Sequence, residues 1–286
     1  MKKIIIVLCV FCLSGCSDSS WYLRSMEIEN LWRYSLGEGK TIAIIDSGIS
    51  NRLLNTYEDD IIATYNLTSE EKSVKDVHGH GSEMVALCKE IAPECSLVII
   101  KIIEDDGNTD NELLLEGLKK AYQEKVDIIN LSLGGYIENE EVIDYIDKLT
   151  DEKIMVVASA GDYGDHDLLF PASLDHVLSV SALDKYNQLW EESNTSEALD
   201  CAFPGVNITI SSDILDGDVD EEVLSEEESG TSEATIIASS YIALLESYYE
   251  SIGEAYDCES IKADIDSLGT LSHKKIDYLS LFEGSS

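Results

Sequence analysis

"TIAIID", residues 41–46, joins a continuous apolar run to a carboxylate. Its apolar residues do not alternate with polar ones, as expected of a strand buried on both faces. Four further runs share this character: "SLVIIKII" (96–103), "VDIINLSL" (126–133), "KIMVVASA" (153–160) and "HVLSVSAL" (176–183). Between them, 110–124 and 138–150 carry helical spacing, with Leu114, Leu118 and Tyr122 on one and Val142, Ile146 and Leu149 on the other. Strand–helix–strand alternation predicts an α/β fold in three layers, a mostly parallel central sheet flanked by helices. Ligands of such sheets bind beyond the carboxyl ends of the strands, so the residues that follow each run are the ones to inspect.

Composition narrows the partners. The 286 residues include 57 acidic and 19 basic side chains, a formal charge of −38. That excess argues against nucleic acid, whose phosphates need Lys and Arg. It suits cationic partners, or simply a solubilising surface. At the start, Lys2 and Lys3 precede an apolar run, Ile4 to Cys12, too short to span a membrane. "LSGC" (13–16) resembles a bacterial lipobox, which implies cleavage before Cys16 and a lipid on its sulfur. The expected organisation is a signal peptide over 1–15, a lipidated tether over 16–25 and one domain over 26–286, outside the cytoplasm and held to a membrane. An ordinary signal peptide or a retained anchor is the alternative. Of the remaining cysteines, Cys88 and Cys95 could close a short disulfide loop; free buried thiols are the other reading, with Cys201 and Cys258. No Cys or His spacing suggests zinc. No metal and no cofactor are expected.

The positions after the apolar runs carry chemistry. Asp46 ends the first. "DVHGHGSEMVA" (76–86) holds His78 and His80 and leads into an expected helix, 83–91. "SLGG" (132–135) and "SAGDYG" (159–164) end two more runs, and "SGTSEA" (229–234) precedes an apolar helix. Each residue alone has an ordinary explanation: Asp46 as a turn residue, His80 as a loop histidine, Ser232 as a helix cap. Together, in the order Asp, His, Ser, they resemble the subtilases, the subtilisin-type serine peptidases. "IAIIDSGI", "HGHGSEMVA" and "GTSEA" are similar to that family's three catalytic motifs. "INLSLGG", "VVASAGD", "FPAS…VLSVSALD" and "FPGVNI" are similar to its supporting ones.

The resemblance implies a serine endopeptidase with Asp46, His80 and Ser232 as its triad. A serine hydroxyl needs a base, imidazole titrates near neutrality, and a carboxylate holds the productive tautomer. His78 reads as a rim residue. The oxyanion hole would fall to Ser232 and to position 162, where the family usually has asparagine and this chain has Asp162. An ionised carboxylate has no donor. Either Asp162 is protonated, giving a peptidase more active below neutrality, or the site is slow or dead. Glu83, Met84, Glu233 and Ile236 are further departures from the family pattern.

For substrate, the resemblance assigns Ser132, Leu133 and Gly134 to one wall of a pocket and Ser159, Ala160 and Gly161 to the other. Its floor is expected from 163–170, where Asp165 and Asp167 would suit Lys or Arg. Nine carboxylates between Asp213 and Glu228 form an acidic loop able to attract a cationic peptide; EF-hand spacing is absent. The similarity leaves no room between Cys16 and Asp46 for the family's inhibitory pro-domain, and no insertion resembles its calcium loop. The expected protein is a monomer that processes a peptide or protein substrate. A catalytically weak or inactive homologue, acting as a peptide-binding or immunity lipoprotein, is the rival.

Overall fold

The computed structural model describes residues 20–210, 214, 226–272 and 274–283. The expected signal peptide, the expected lipidation residue Cys16 and most of the acidic loop lie outside the described residues.

Seven parallel strands form the central sheet: β1 (Thr41–Asp46), β2 (Ile61–Asn66), β3 (Ser96–Lys101), β4 (Ile128–Leu131), β5 (Met155–Ser159), β6 (Leu178–Leu183) and β7 (Cys201–Pro204). Their order is β2-β3-β1-β4-β5-β6-β7, and a short antiparallel pair, β8 (Ile208–Ile210) and β9 (Glu226–Glu228), stands apart. The five runs identified in the sequence are the five inner strands. Each is almost wholly buried. β2 escaped notice because, as an edge strand, it alternates partly buried and exposed residues. β7 is four residues long and ends on Pro204.

Helices cover both faces. On one lie α5 (Asn111–Glu124) and α6 (Glu140–Asp151), whose Leu114, Leu118, Val142, Ile146 and Leu149 pack under Ile45, Ile100 and Val156. On the other lie α4 (His80–Ile91), α7 (Thr231–Ile252) and α8 (Cys258–Ser267). α7 is buried along nearly its whole length and ends at Gly253, whose φ of 74° makes the left-handed C-cap that glycine adopts without penalty. Among the described residues, no helix is long and apolar enough to cross a membrane. The short α1 (Trp21–Ser25), α2 (Ile28–Leu31) and α3 (Asn51–Thr56) complete the shell.

This topology fixes where a site can form. The chain runs from β1 outward to β2 and β3, then crosses to β4 on the other side of β1. Crossovers leaving in opposite directions open a crevice at the carboxyl end of β1. Asp46 is the last residue of β1, and Ser132 follows the end of β4.

Candidate active site

The base side is built first. His80 is the opening residue of α4, and its Nδ1 lies 2.8 Å from Asp46 Oδ1. Asp46 is 1% exposed, while the imidazole is 31% exposed. Asp46 Oδ1 also accepts from the Ser47 N–H at 2.6 Å. Its Oδ2 is buried with no protein partner. The approach of α4 to β1 requires glycine: a Cβ on Gly81 would stand 2.3 Å from the Gly48 carbonyl oxygen.

Asp76 holds this corner together, and sequence reading gave it no role. Its Oδ1 accepts from Ser47 Oγ at 2.9 Å and from the His78 and Gly79 N–H groups at 3.0 and 2.9 Å. Its Oδ2 accepts from the Ser82 N–H and hydroxyl at 2.9 and 2.7 Å. Burial pushes its carboxyl up, but these donors outweigh burial and lower its pKa below the ordinary value. Ser47 Oγ in turn accepts from the Gly81 N–H at 2.9 Å. The signal was present in the sequence: an Asp two and three residues before backbone donors is an Asx-turn pattern. His78 is exposed, with Nε2 2.9 Å from the Glu104 carbonyl oxygen, as a rim residue should be.

The nucleophile side is built on α7. Ser232 is the second residue of that helix, and its hydroxyl donates to the Ser132 carbonyl at 3.3 Å. Ser132 Oγ, 4% exposed as a residue, lies 3.2 Å from Met84 Sδ of α4 and donates to the Ser232 carbonyl at 3.0 Å. Ser132 therefore ties the second turn of α4 and the first turn of α7 to the end of β4. Asp162 is exposed, and its Oδ1 accepts from the Thr231 N–H at 2.8 Å, capping the N-terminus of α7. In this arrangement Asp162 acts as an acceptor at the place where an oxyanion donor is expected.

Two more carboxyls surround the imidazole. Glu233 is 5% exposed, and burial pushes its pKa up to about 7. Glu83, one turn along α4 from His80, is likewise raised to about 7, chiefly by burial. For His80 itself, burial disfavours the charged form. Asp46, by charge and hydrogen bond, and then Glu233 and Glu83 outweigh this and raise it to about 10.

The wall segments 132–134 and 159–161 do run side by side, since β4 pairs with β5 in the register Leu131 to Ala158. Within the expected floor segment, 163–170, the residue nearest the walls is Leu169 rather than Asp165 or Asp167. Asp165 and Asp167 are exposed, with Asp165 reached by the Tyr136 hydroxyl at 3.4 Å. Leu169 occupies the gap instead. Cys88 and Cys95 are free thiols, with Sγ atoms 3.7 Å apart, and Cys201 and Cys258 are free as well. Among the described residues, no group of His, Cys, Asp or Glu is arranged to hold a metal.

Residues 37–265 match the sequence model of the Subtilase family of peptidases. The chain belongs to the subtilase family. It is 30% identical over 278 residues to the minor extracellular protease Epr of Bacillus subtilis, covering 90% of this chain and 41% of that protein. It is 27% identical over 206 residues to the major intracellular serine protease of Bacillus subtilis, covering 65% of this chain and 64% of that protein. With subtilisin BL of Lederbergia lenta it shares 27% identity over 182 residues, 60% of this chain and 66% of the relative. This subtilase thus spans between two fifths and two thirds of the length of these curated relatives.

Proposed function

We propose that this subtilase is a serine endopeptidase that processes peptides or proteins outside the cytoplasm. The observation that carries the reading is the buried Asp46 carboxylate 2.8 Å from His80 Nδ1, at the crevice where Ser132 links α4 to the Ser232 helix. With Nδ1–H donated to Asp46, His80 Nε2 is left as the acceptor that a base requires.

The reaction follows from these groups. Ser232 Oγ leaves the long bond to Ser132, gives its proton to His80 Nε2 and attacks the peptide carbonyl. The resulting oxyanion lies at the N-terminus of α7, whose dipole favours negative charge. The imidazolium, steadied by Asp46, returns the proton to the departing amine, and a water molecule activated by the same imidazole releases the acyl group.

The surroundings of His80 set the pH dependence. A base must be neutral to act, and the neighbouring carboxylates raise its pKa to about 10. Activity therefore climbs from neutral pH toward that value. This direction is opposite to the acid preference expected from Asp162 alone. Asp162, bound to a backbone donor, contributes no proton of its own to the oxyanion in this reading.

The basic start, short apolar run and "LSGC" of residues 2–16 support export and lipid attachment at Cys16. The acidity of the whole chain supports a cationic substrate. Hydrolysis of fluorescent unfolded casein between pH 6 and 10, by wild type and Ser232→Ala, tests the activity. Turnover that rises with pH and vanishes in the variant is expected. Tight binding of cationic peptide with no turnover at any pH would instead support the peptide-binding rival, which the acceptor role of Asp162 favours.

A further inference from the structure

We infer that Leu169 sets the substrate specificity of this site, by filling the gap that would receive the side chain preceding the scissile bond. The inference rests on the peptidase reading above and adds a substrate class to it: chains with Gly, Ala or Ser before the cleaved bond.

A peptide carbonyl presented to Ser232 Oγ must sit beside the Ser132 carbonyl, 3.3 Å from that oxygen. The backbone next to it lies between two segments leaving adjacent strands. One is 132–134. The other is 159–161, where the Gly161 N–H donates to Thr231 Oγ1 at 3.2 Å. The acylating residue must direct its side chain between them. Both walls are glycine at the relevant depth, which by itself leaves room for a large side chain.

That room is taken. A Cβ on Gly134 would lie 2.8 Å from Leu169 Cβ and 3.2 Å from its Cδ1. A Cβ on Gly161 would lie 2.7 Å from Leu169 Cγ and 2.8 Å from the same Cδ1. One methyl group therefore crowds the place a Cβ would take on either wall, and the residue is 5% exposed.

The plug is also held in place. The Leu169 N–H donates to the Ala160 carbonyl at 3.0 Å, in one wall. Phe170 exchanges backbone hydrogen bonds of 2.8 and 2.9 Å with Gly135, just past the other. Buried Asn194 donates through Nδ2 to the Asp167 carbonyl at 2.9 Å and through its N–H to the Gly161 carbonyl at 2.7 Å. These bonds fix the backbone that carries Leu169 against both walls, and its buried side chain is held by packing. A ring or a long chain has to compete with a packed leucine, whereas a hydrogen or a methyl group does not. Asp165 and Asp167, both solvent-exposed, cannot offer a lysine a path past it.

The test is a series of succinyl-Ala-Ala-Pro-X p-nitroanilides, with X as Gly, Ala, Leu, Phe or Lys, read as kcat/KM. Wild type should cleave the Ala substrate at least about tenfold better than Phe or Lys. Leu169→Gly should raise the Phe-to-Ala ratio by about a hundredfold, and Leu169→Ala by about tenfold. If the glycine variant fails to fold, as judged by its thermal transition, the alanine variant and the wild-type series decide. A wild type that cleaves Phe or Lys as well as Ala overturns the inference, as does a ratio unmoved in a folded variant. Fluorophosphonate labelling separates the two levels. Labelled Ser232 with a Phe preference sinks this inference alone. No labelling and no cleavage sinks the peptidase reading and this inference with it.

Discussion

The two halves of the site are made differently. Around Asp46 and His80, a closed set of donors and acceptors runs from Ser47 through Asp76 to Ser82, nearly all of it buried. Around Ser232, the second half presents carboxyls, Asp162 and Glu233, to a helix N-terminus. The base half is rigid because, among the described residues, each buried side-chain oxygen or nitrogen in it, apart from Asp46 Oδ2, has its partner. The nucleophile half is electrostatically loaded, so its chemistry depends on where protons sit.

The largest expected effect breaks both halves at once. Ser232→Ala and His80→Ala should each lower kcat by at least about 10⁴-fold, and the double variant should be no worse than either single one. Additive losses would mean that the two halves do not act as one unit.

Asp162→Asn sharpens the contrast on the nucleophile side. It replaces an acceptor by a group with an N–H donor, and kcat should rise by about a hundredfold. With Asp162 held as an acceptor by the Thr231 N–H, the ratio of variant to wild type should be flat from pH 6 to 9. A ratio that grows with pH would show that a proton on Asp162 had been the donor.

Asp76→Ala attacks the base side through stability. It strands the Ser47 hydroxyl, the Ser82 hydroxyl and three backbone donors, at a cost of about 3 kcal/mol measured by urea unfolding. Because the Asp76 pKa is lowered by folding, its contribution is present above the unfolded-state value and is lost as pH falls. The variant should therefore lie nearest to wild type under acid conditions.

Glu233→Gln gives the smallest effect. It removes one of the carboxylates that hold the proton on His80. The acid limb of kcat/KM should move down by roughly half a unit to one unit. The same change alters stability with a definite sign. The Glu233 pKa is raised from 4.5 to about 7, so the native state binds the extra proton. Its stabilisation is full below pH 4.5 and is lost as pH rises to 7. The thermal midpoint of wild type should fall across that window more steeply than that of Glu233→Gln.

Legibility in the sequence followed burial and locality. The inner strands were readable because burial on both faces demands unbroken apolar runs, and "TIAIID" alone placed Asp46 at a strand end. His80 and Ser232 were singled out by short glycine-containing motifs that resemble those of the subtilases, and both lie in the first turn of a helix. Edge strand β2 was missed because one of its faces meets solvent. Leu169 was overlooked because its role lies in three-dimensional contact with two glycines, 35 and 8 residues away in sequence. The local chemistry of the same loop pointed to Asp165 and Asp167, which the fold turns outward. The direction of the pH dependence was unreadable for a related reason. Asp162 stands out in sequence, but the raised pKa of His80 arises from Asp46, Glu83 and Glu233, brought together from β1, α4 and α7.

The most direct measurement is covalent. Wild type and His80→Ala would be incubated with a fluorophosphonate at pH 9, and the modified residue located by mass spectrometry of proteolytic fragments. A single phosphonyl group on Ser232 in wild type, formed at least about 10³-fold more slowly without the imidazole, is the predicted result. Labelling that ignores the loss of His80, or that falls on another residue, would contradict the proposal that Asp46, His80 and Ser232 act as one catalytic unit.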